Sequence, residues 1–268
     1  MKKVKYVFVI LVYKNISDLN EYITNLETFN LNKVVIVVNS YYDESSKKEI
    51  EKFCSKKSCI FLNVENRGYG YGNNRGIEYA NINYKYTFLI VSNPDILIKK
   101  FSDLSLSDYS DAVIGPMIQT LENKNQNPFW VLENKFTEKM IYRGYKDNSK
   151  SKIYFGIIVN KIIRELFLVF IKFNRKSYKK VFAIHGSFLI FPQKVLKRIG
   201  LPYDENIFLF SEEAHLAHFL KRENVHSYIT KDIEILHKED GSISMSDINI
   251  MNEVRKSVIT YYENYFYL

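Results

Sequence analysis

The feature that most limits how this chain can fold is a series of short β-branched and aromatic runs separated by segments of helical spacing. Val4–Val12 has no polar alternation after Lys5, the pattern of a strand covered on both faces. Ser17 and Asp18 offer caps for a following helix, whose apolar stripe is Leu19, Tyr22, Ile23 and Leu26. Val34–Val38 reads as a second strand, Ser45–Lys56 as a helix, Ile60–Val64 as a third strand, Asn73–Ala80 as a helix and Tyr86–Ser92 as a strand. This alternation predicts βαβ units and a mostly parallel sheet in an α/β fold, with ligands bound beyond the carboxyl ends of the strands. Further strands are predicted at Ala112–Gln119, within Val181–Phe191 and at Ile233–His237. Helices are expected at Gln193–Ile199, stopped by Gly200, and over Glu212–Glu223. Ile250, Val254, Val258, Tyr261, Tyr262 and Tyr265 mark a C-terminal helix that packs back on the domain. No segment repeats.

With 268 residues, 46% of them hydrophobic and 15% aromatic, the chain can bury a core, which excludes disorder and suits one domain over residues 1–268. Its net charge of +8 is local. Lys139 to Lys180 holds twelve basic and two acidic residues, a net +10, which leaves −2 for everything else. A nucleic-acid-binding module would need a basic stripe across the folded domain, so no nucleic-acid partner is expected. Cys54 and Cys59 form neither a disulfide framework nor a zinc site and read as free thiols in a reducing compartment, the cytoplasm. Lys2, Lys3 and Lys5 before an apolar run suggest a signal peptide, but the run is short, β-branched and followed by Tyr13-Lys14-Asn15, so a buried strand explains it better.

Three clusters carry chemistry. Glu65–Gly76 places four glycines after the third strand and opens a helix: a loop that brings backbone N–H groups close to a phosphate or sugar, or a glycine-rich turn without ligand. Asn93-Pro94-Asp95 follows a strand, so Asp95 is either a helix cap or a ligand of Mg²⁺ or Mn²⁺ shared with diphosphate oxygens. Glu212 and Glu213 follow an aromatic loop at a helix start, as N-terminal helix acids or as a base that deprotonates an acceptor hydroxyl. His237, straight after a strand, is a core imidazole or a metal ligand.

In this order the pieces resemble glycosyltransferase family 2, the inverting GT-A enzymes, and within it the bacterial rhamnosyltransferase-like branch. Val7–Tyr13 with Asn15 looks like the opening strand, Asn66–Gly76 like the N-x-G-[FY]-[GA] loop, and Asn93-Pro94-Asp95 like the D-x-D metal motif. Gly186–Ile190 through Asp204-Glu205, then Glu212–Leu216, resemble the acceptor-side motifs, and His237 through Gly241-Ser242 the closing H-x-x-x-G-S. The likeness spans about residues 4–119 and 181–262. It implies a metal at Asp95 and His237 and a donor sugar-nucleotide pocket at Tyr13, Asn66, Gly68, Asn74 and Asn93. It also implies Glu213 as catalytic base with Glu212 beside it. Val38-Asn39-Ser40-Tyr41-Tyr42-Asp43 stands where the family has V-D-N-x-S-x-D, so Asn39 or Asp43 is expected to read the base. His215 replaces the family's second acidic residue. The expected reaction moves a sugar from dTDP-rhamnose or a UDP-sugar to a hydroxyl of a glycan acceptor, expected to be lipid-linked, in bacterial surface polysaccharide synthesis. A nucleotidyltransferase acting on sugar phosphates would instead want a lysine-bearing phosphate loop after the first strand, where Tyr13-Lys14-Asn15 stands.

The insertion at 120–180 lies outside the resemblance. Lys152–Phe173 is dense in large apolar residues, and its polar members Asn160, Lys161, Arg164, Glu165 and Lys172 fall on one narrow helical face. Charges in mid-run argue against a spanning helix. Two readings remain: a helix in the membrane interface, making the enzyme peripheral on the inner face of the cytoplasmic membrane, or a buried helix with a solvated basic collar.

Overall fold

The computed structural model describes residues 1–239 and 249–266, so Gly241 and Ser242 of the H-x-x-x-G-S resemblance lie outside the described residues. The chain begins with β1 (Lys2–Lys3) and β2 (Tyr6–Val12), then α1 (Ile16–Glu27), β3 (Lys33–Ser40), α2 (Glu44–Lys56) and β4 (Ile60–Val64). α3 (Tyr69–Asn83), β5 (Tyr84–Lys85), β6 (Phe88–Ser92), β7 (Ile96–Phe101) and β8 (Ala112–Thr120) follow. The insertion forms two helices, α4 (Lys135–Lys146) and α5 (Lys150–Phe173). After it come β9 (Tyr178–Val181), β10 (Phe188–Pro192), α6 (Gln193–Ile199), α7 (Glu212–Arg222), β11 (His226–His237) and α8 (Ile250–Tyr265).

The main sheet runs β4-β3-β2-β6-β10-β8-β11-β7, with β9 on β11. β4, β3, β2 and β6 are parallel, β10 runs against β6 and β8, and β11 is parallel to β8. The carboxyl ends of β2, β3, β4, β6 and β11 therefore open on one edge, and the segment entering β10 lies on that edge too.

The central strand β2 feeds both faces, as an uninterrupted apolar run must. Tyr6, Phe8 and Ile10 pack with Leu19, Tyr22, Ile23 and Leu26 of α1 and Ile50 of α2. Val7 and Val9 pack on the other side with Ile77 and Ala80 of α3, Val195 and Leu196 of α6, Leu216 and Leu220 of α7, and Leu168 and Ile171 of α5. Each such side chain contributes about 1.5–3 kcal/mol by leaving water.

Several boundaries differ from the sequence reading. α1 is capped by Asn15, whose side chain accepts from the Asp18 N–H, rather than by Ser17 or Asp18. α3 starts inside the glycine loop, at Tyr69 rather than Asn73, because its glycines are packing devices. A Cβ on Gly76 would stand 2.3 Å from Val9 Cγ1, so this helix crosses the sheet closer than any side chain allows. β7 and β9 are additional strands, and the late strand begins at His226 rather than Ile233, pairing first with β9 and then with β7. We expect Gly76→Ala to destabilise the chain by about 1–3 kcal/mol through overpacking. A lowered denaturant midpoint at unchanged slope is the expected measurement.

Candidate active site

A cavity of about 760 Å³ opens at the shared strand edge. Tyr13 after β2, Ser40 ending β3, Asn66 and Gly68 after β4, Asn93 and Asp95 after β6, and His237 ending β11 all line it. Gly186 and Ser187, leading into β10, complete its floor, where the Asn93 N–H donates to the Ser187 carbonyl at 3.0 Å.

Asp95 and His237 are both buried, with Asp95 Oδ1 3.4 Å from His237 Nε2. His237 Nδ1 donates to Gln126 Oε1 at 2.7 Å, and Gln126 Nε2 in turn donates to Glu239 at 2.7 Å. In the neutral imidazole this fixes the tautomer and leaves a lone pair on Nε2 directed at Asp95 Oδ1, which has no hydrogen-bond partner. Two facing acceptors need a proton or a cation between them. One carboxylate and one imidazole suit a divalent ion completed by diphosphate oxygens. Among the described residues no group of three His, Cys, Asp or Glu side chains gathers, so a fully protein-built metal cage is not formed. The end of β11 is pinned to β6 and α1: the Lys238 N–H donates to the Asp95 carbonyl at 2.9 Å, and its ammonium reaches Asp18 at 2.5 Å and Glu21 at 2.7 Å. His185 stands beside the pair, its ring 5.6 Å from that of His237. Burial first, then the neighbouring His237 and the charge of Arg164, push its imidazole down to about 3 against the pull of Asp95. It is neutral at pH 7.

Glu212 and Glu213 open α7 after two consecutive left-handed residues, Phe210 at φ 70° and Ser211 at φ 66°. Non-glycine residues there carry strain held by the surrounding packing, a feature that concentrates at functional sites. Glu213 Oε1 accepts the Gly186 N–H at 3.2 Å, and a Cβ on Gly186 would lie 3.3 Å from that oxygen. Burial raises the pKa of both carboxyls, and for Glu212 the adjacent Glu213 adds to it; hydrogen bonds from Gly186 and from the helix start oppose the shift on Glu213. Both are therefore more basic than ordinary carboxylates.

Three candidate donor-site residues do not line the cavity. Asn39 is buried and donates to Asn63 at 2.7 Å, tying β3 to β4. Asp43 is exposed and caps α2 by accepting from the Ser46 N–H at 2.8 Å. Asn74 is buried with both ends of its amide engaged, donating to the Tyr203 carbonyl and Glu205 and accepting the Tyr203 N–H. Each of the three makes a hydrogen bond within the chain that holds a turn, a helix end or a strand pair. Gly68 lines the cavity and is also held by its backbone: φ is 103°, and a Cβ would fall 2.2 Å from the Phe208 carbonyl oxygen. Near Tyr13, the Tyr42 ring lies at 5.8 Å and the Lys14 ammonium sits 3.3 Å over Tyr42, an aromatic and cationic rim next to Ser40 and Asn66.

The insertion contributes residues that motif spacing did not single out as site residues. Glu138 of α4 and Asn160, Lys161 and Arg164 of α5 line the same cavity. Glu138 is buried and accepts from Tyr261 at 2.7 Å, and its other contact, 2.9 Å, is to His218 of α7. The available signal was the narrow polar stripe of α5, which reads as a solvated face but turns inward.

No family model matches the sequence. A curated relative, the low-salt glycan biosynthesis hexosyltransferase Agl10 of Haloferax volcanii, is 24% identical over 204 residues, 74% of this chain and 57% of the relative's length. GalNAc-T7, crystallised with UDP, GalNAc and Mn²⁺, superposes with a TM-score of 0.58 over 98% of this chain and 50% of that one, at 9% identity. TarS 1-349 of S. aureus in complex with UDP-GlcNAc gives 0.56 over 97% and 67%, at 11% identity. The chain has the GT-A glycosyltransferase fold. It spans little more than half the length of the curated relative it matches. Within the GT-A sheet, Asp95 and His237 stand at the ends of adjoining elements, β6 running into β7 and β7 pairing with β11.

Because burial raises the Glu212 pKa, the folded chain holds that proton more tightly than the unfolded one, and stability falls as pH rises from the ordinary carboxylate range to the raised value. Glu212→Gln removes this loss. We expect the variant to gain roughly 1–2 kcal/mol over the parent at alkaline pH and little in acid, as read by thermal unfolding across pH.

Proposed function

We propose that this chain is an inverting glycosyltransferase that moves a sugar from a nucleotide-sugar donor, a UDP-sugar or dTDP-rhamnose, to a hydroxyl of a lipid-linked glycan in surface polysaccharide synthesis. The observation that carries this reading is a raised-pKa carboxylate, Glu213, opening into the same cavity as the Asp95–His237 pair. The sequence likeness to a glycan-building hexosyltransferase and the GT-A fold shared with proteins crystallised with UDP or UDP-GlcNAc support it.

In the mechanism, Tyr13, Ser40 and Asn66 hold the nucleoside end of the donor, while Asn93, Asp95 and His237 sit at its diphosphate. Asp95 and His237 would hold a Mn²⁺ or Mg²⁺ ion, whose charge would stabilise the departing diphosphate. Glu213, fixed through Oε1 by the Gly186 N–H, takes the proton of the acceptor hydroxyl as that oxygen bonds to the anomeric carbon. The bond from that carbon to the donor phosphate breaks, and its electron pair leaves with the nucleoside diphosphate. Burial makes Glu213 a stronger base at neutral pH than an exposed carboxylate. Glu213→Gln is expected to lower transfer by about 10²–10⁴-fold with donor binding retained. In the parent, transfer should decline as pH falls through the raised pKa, since protonated Glu213 cannot accept a proton. Near-normal turnover by the variant, or a rate flat across that limb, would remove Glu213 from the role.

The membrane reading rests on the outer face of α5. Ile162, Leu166 and Phe170 are 55%, 68% and 56% exposed, and Lys150, Lys172, Arg175, Lys176 and Lys180 are exposed at the ends of the helix and in the segment after it. No helix among the described residues is long and apolar enough to cross a membrane. The occupant that fits an apolar helix face ringed by cations is an anionic bilayer surface, each nearby cation adding roughly 1 kcal/mol. We expect the chain to co-sediment with phosphatidylglycerol vesicles and Ile162→Glu/Leu166→Glu to abolish this without altering the unfolding temperature. Equal sedimentation of the two proteins would overturn the reading.

A further inference from the structure

α5 has two unlike faces. Leu168 and Ile171 pack into the core, Ile158, Ile162, Leu166 and Phe170 are exposed, and Asn160, Lys161 and Arg164 line the cavity that holds Asp95, His185 and Glu213. Arg164 is mostly buried, its side chain 23% exposed, and its Nε is buried with no hydrogen-bond partner. The carboxylate paired with it, Glu165, is 3.7 Å away and half exposed. Thr137 of α4 donates to Asn160 Oδ1 at 3.1 Å and locks this part of the stripe in place. A buried N–H without an acceptor is costly, so Arg164 Nε has capacity for an anion beyond its 3.7 Å pairing with Glu165.

On the proposed reading the donor diphosphate is served by Asp95, His237 and Asn93 on the sheet edge, whereas Arg164 and Lys161 come from the helical insertion on another wall-forming element of the same cavity. Around them the cavity wall is mostly apolar, formed by Trp130, Ile141, Tyr145, Ile157, Val254 and Val258, with the carboxylate of Glu138 set among them. A ligand touching both the cationic stripe and this wall, entering beside a helix with an exposed apolar face, is an amphiphile with an anionic head.

We propose that Arg164, with Lys161 at the cavity mouth, binds the phosphate or diphosphate head of the lipid-linked acceptor. The site rests on the glycosyltransferase reading for the acceptor's role, but not for the binding itself. α5 then couples two tasks: its outer face docks on the bilayer and its inner face receives the head group of a lipid drawn from it. Planar, forked recognition of a phosphate suits Arg164 better than a lysine, while Lys161 supplies a mobile point charge.

The test is a calorimetric titration of the full chain in nonionic micelles with geranylgeranyl diphosphate, inorganic diphosphate and geranylgeraniol. A parallel titration uses UDP, and separately dTDP, in the presence of Mn²⁺. The lipid diphosphate should bind more tightly than either the free anion or the neutral alcohol. Arg164→Gln should weaken it by about tenfold or more, and Arg164→Lys by less. UDP affinity should be the same in all three proteins. Unchanged lipid diphosphate binding in Arg164→Gln would overturn the proposal. So would a selective loss of UDP binding, which would assign Arg164 to the donor, or inorganic diphosphate binding as tightly as the lipid, which would make the site one for free anions. Should Arg164→Gln unfold, Lys161→Gln on the exposed rim carries the same comparison, with a smaller loss expected and no loss counting against the site. Failure of both UDP and dTDP to bind the parent chain would count against the transferase reading alone.

Discussion

Two electron-pair donors, Asp95 Oδ1 and His237 Nε2, face one another at 3.4 Å in a buried position, and the site is organised around this contact. It is unfavourable unless positive charge lies between them, and the sheet imposes it nonetheless. Asp95 is fixed where β6 turns into β7, and His237 where β11 ends opposite Ile96. Gln126 sets the imidazole tautomer, and Lys238 ties the same strand end to α1. The fold holds the two donors together before any ligand arrives, so the cost of organising the site is met by strand pairing and core burial.

Much of this was legible in the sequence because it depends on local periodicity. β2, β3, β4 and β6 are apolar runs that pair only if covered on both faces, and residues after them fall on one edge by topology. Asn93 and Asp95 follow one of these strands and His237 ends β11, while the family resemblance pointed to Tyr13, Asn66 and Glu213; all six line the cavity. What the sequence did not reveal was how polar side chains divide between ligand and chain. Asn39, Asp43 and Asn74 have the right types at motif positions, yet each is consumed by a partner set by long-range geometry: Asn63 across β4, the α2 N-terminus and the Tyr203 backbone.

The insertion shows the same limit in another form. Its 3.6-residue periodicity identified α5, but a helix with a narrow polar stripe can be packed in two orientations. In this protein Asn160, Lys161 and Arg164 of the stripe line the cavity, Leu168 and Ile171 enter the core, and Ile158, Ile162, Leu166 and Phe170 are left exposed. Close crossing of α4 and α5 sets that orientation: a Cβ on Gly144 would stand 2.5 Å from Ile153, and one on Gly156 2.6 Å from Ile141. The hairpin thus makes an apolar outer surface and a cationic inner wall from one helix, joining a surface that can meet lipid to a site that can meet a nucleotide sugar.

The central claim is that Asp95 and His237 hold a divalent cation that binds a nucleoside diphosphate in this cavity. Calorimetric titration of UDP and dTDP into the parent chain and into Asp95→Ala, each with Mn²⁺ and with chelator, tests it most directly. The account predicts binding by the parent that requires Mn²⁺ and is lost in Asp95→Ala, with both proteins equally folded. Binding of equal strength with and without the metal, or unchanged by Asp95→Ala, would contradict it.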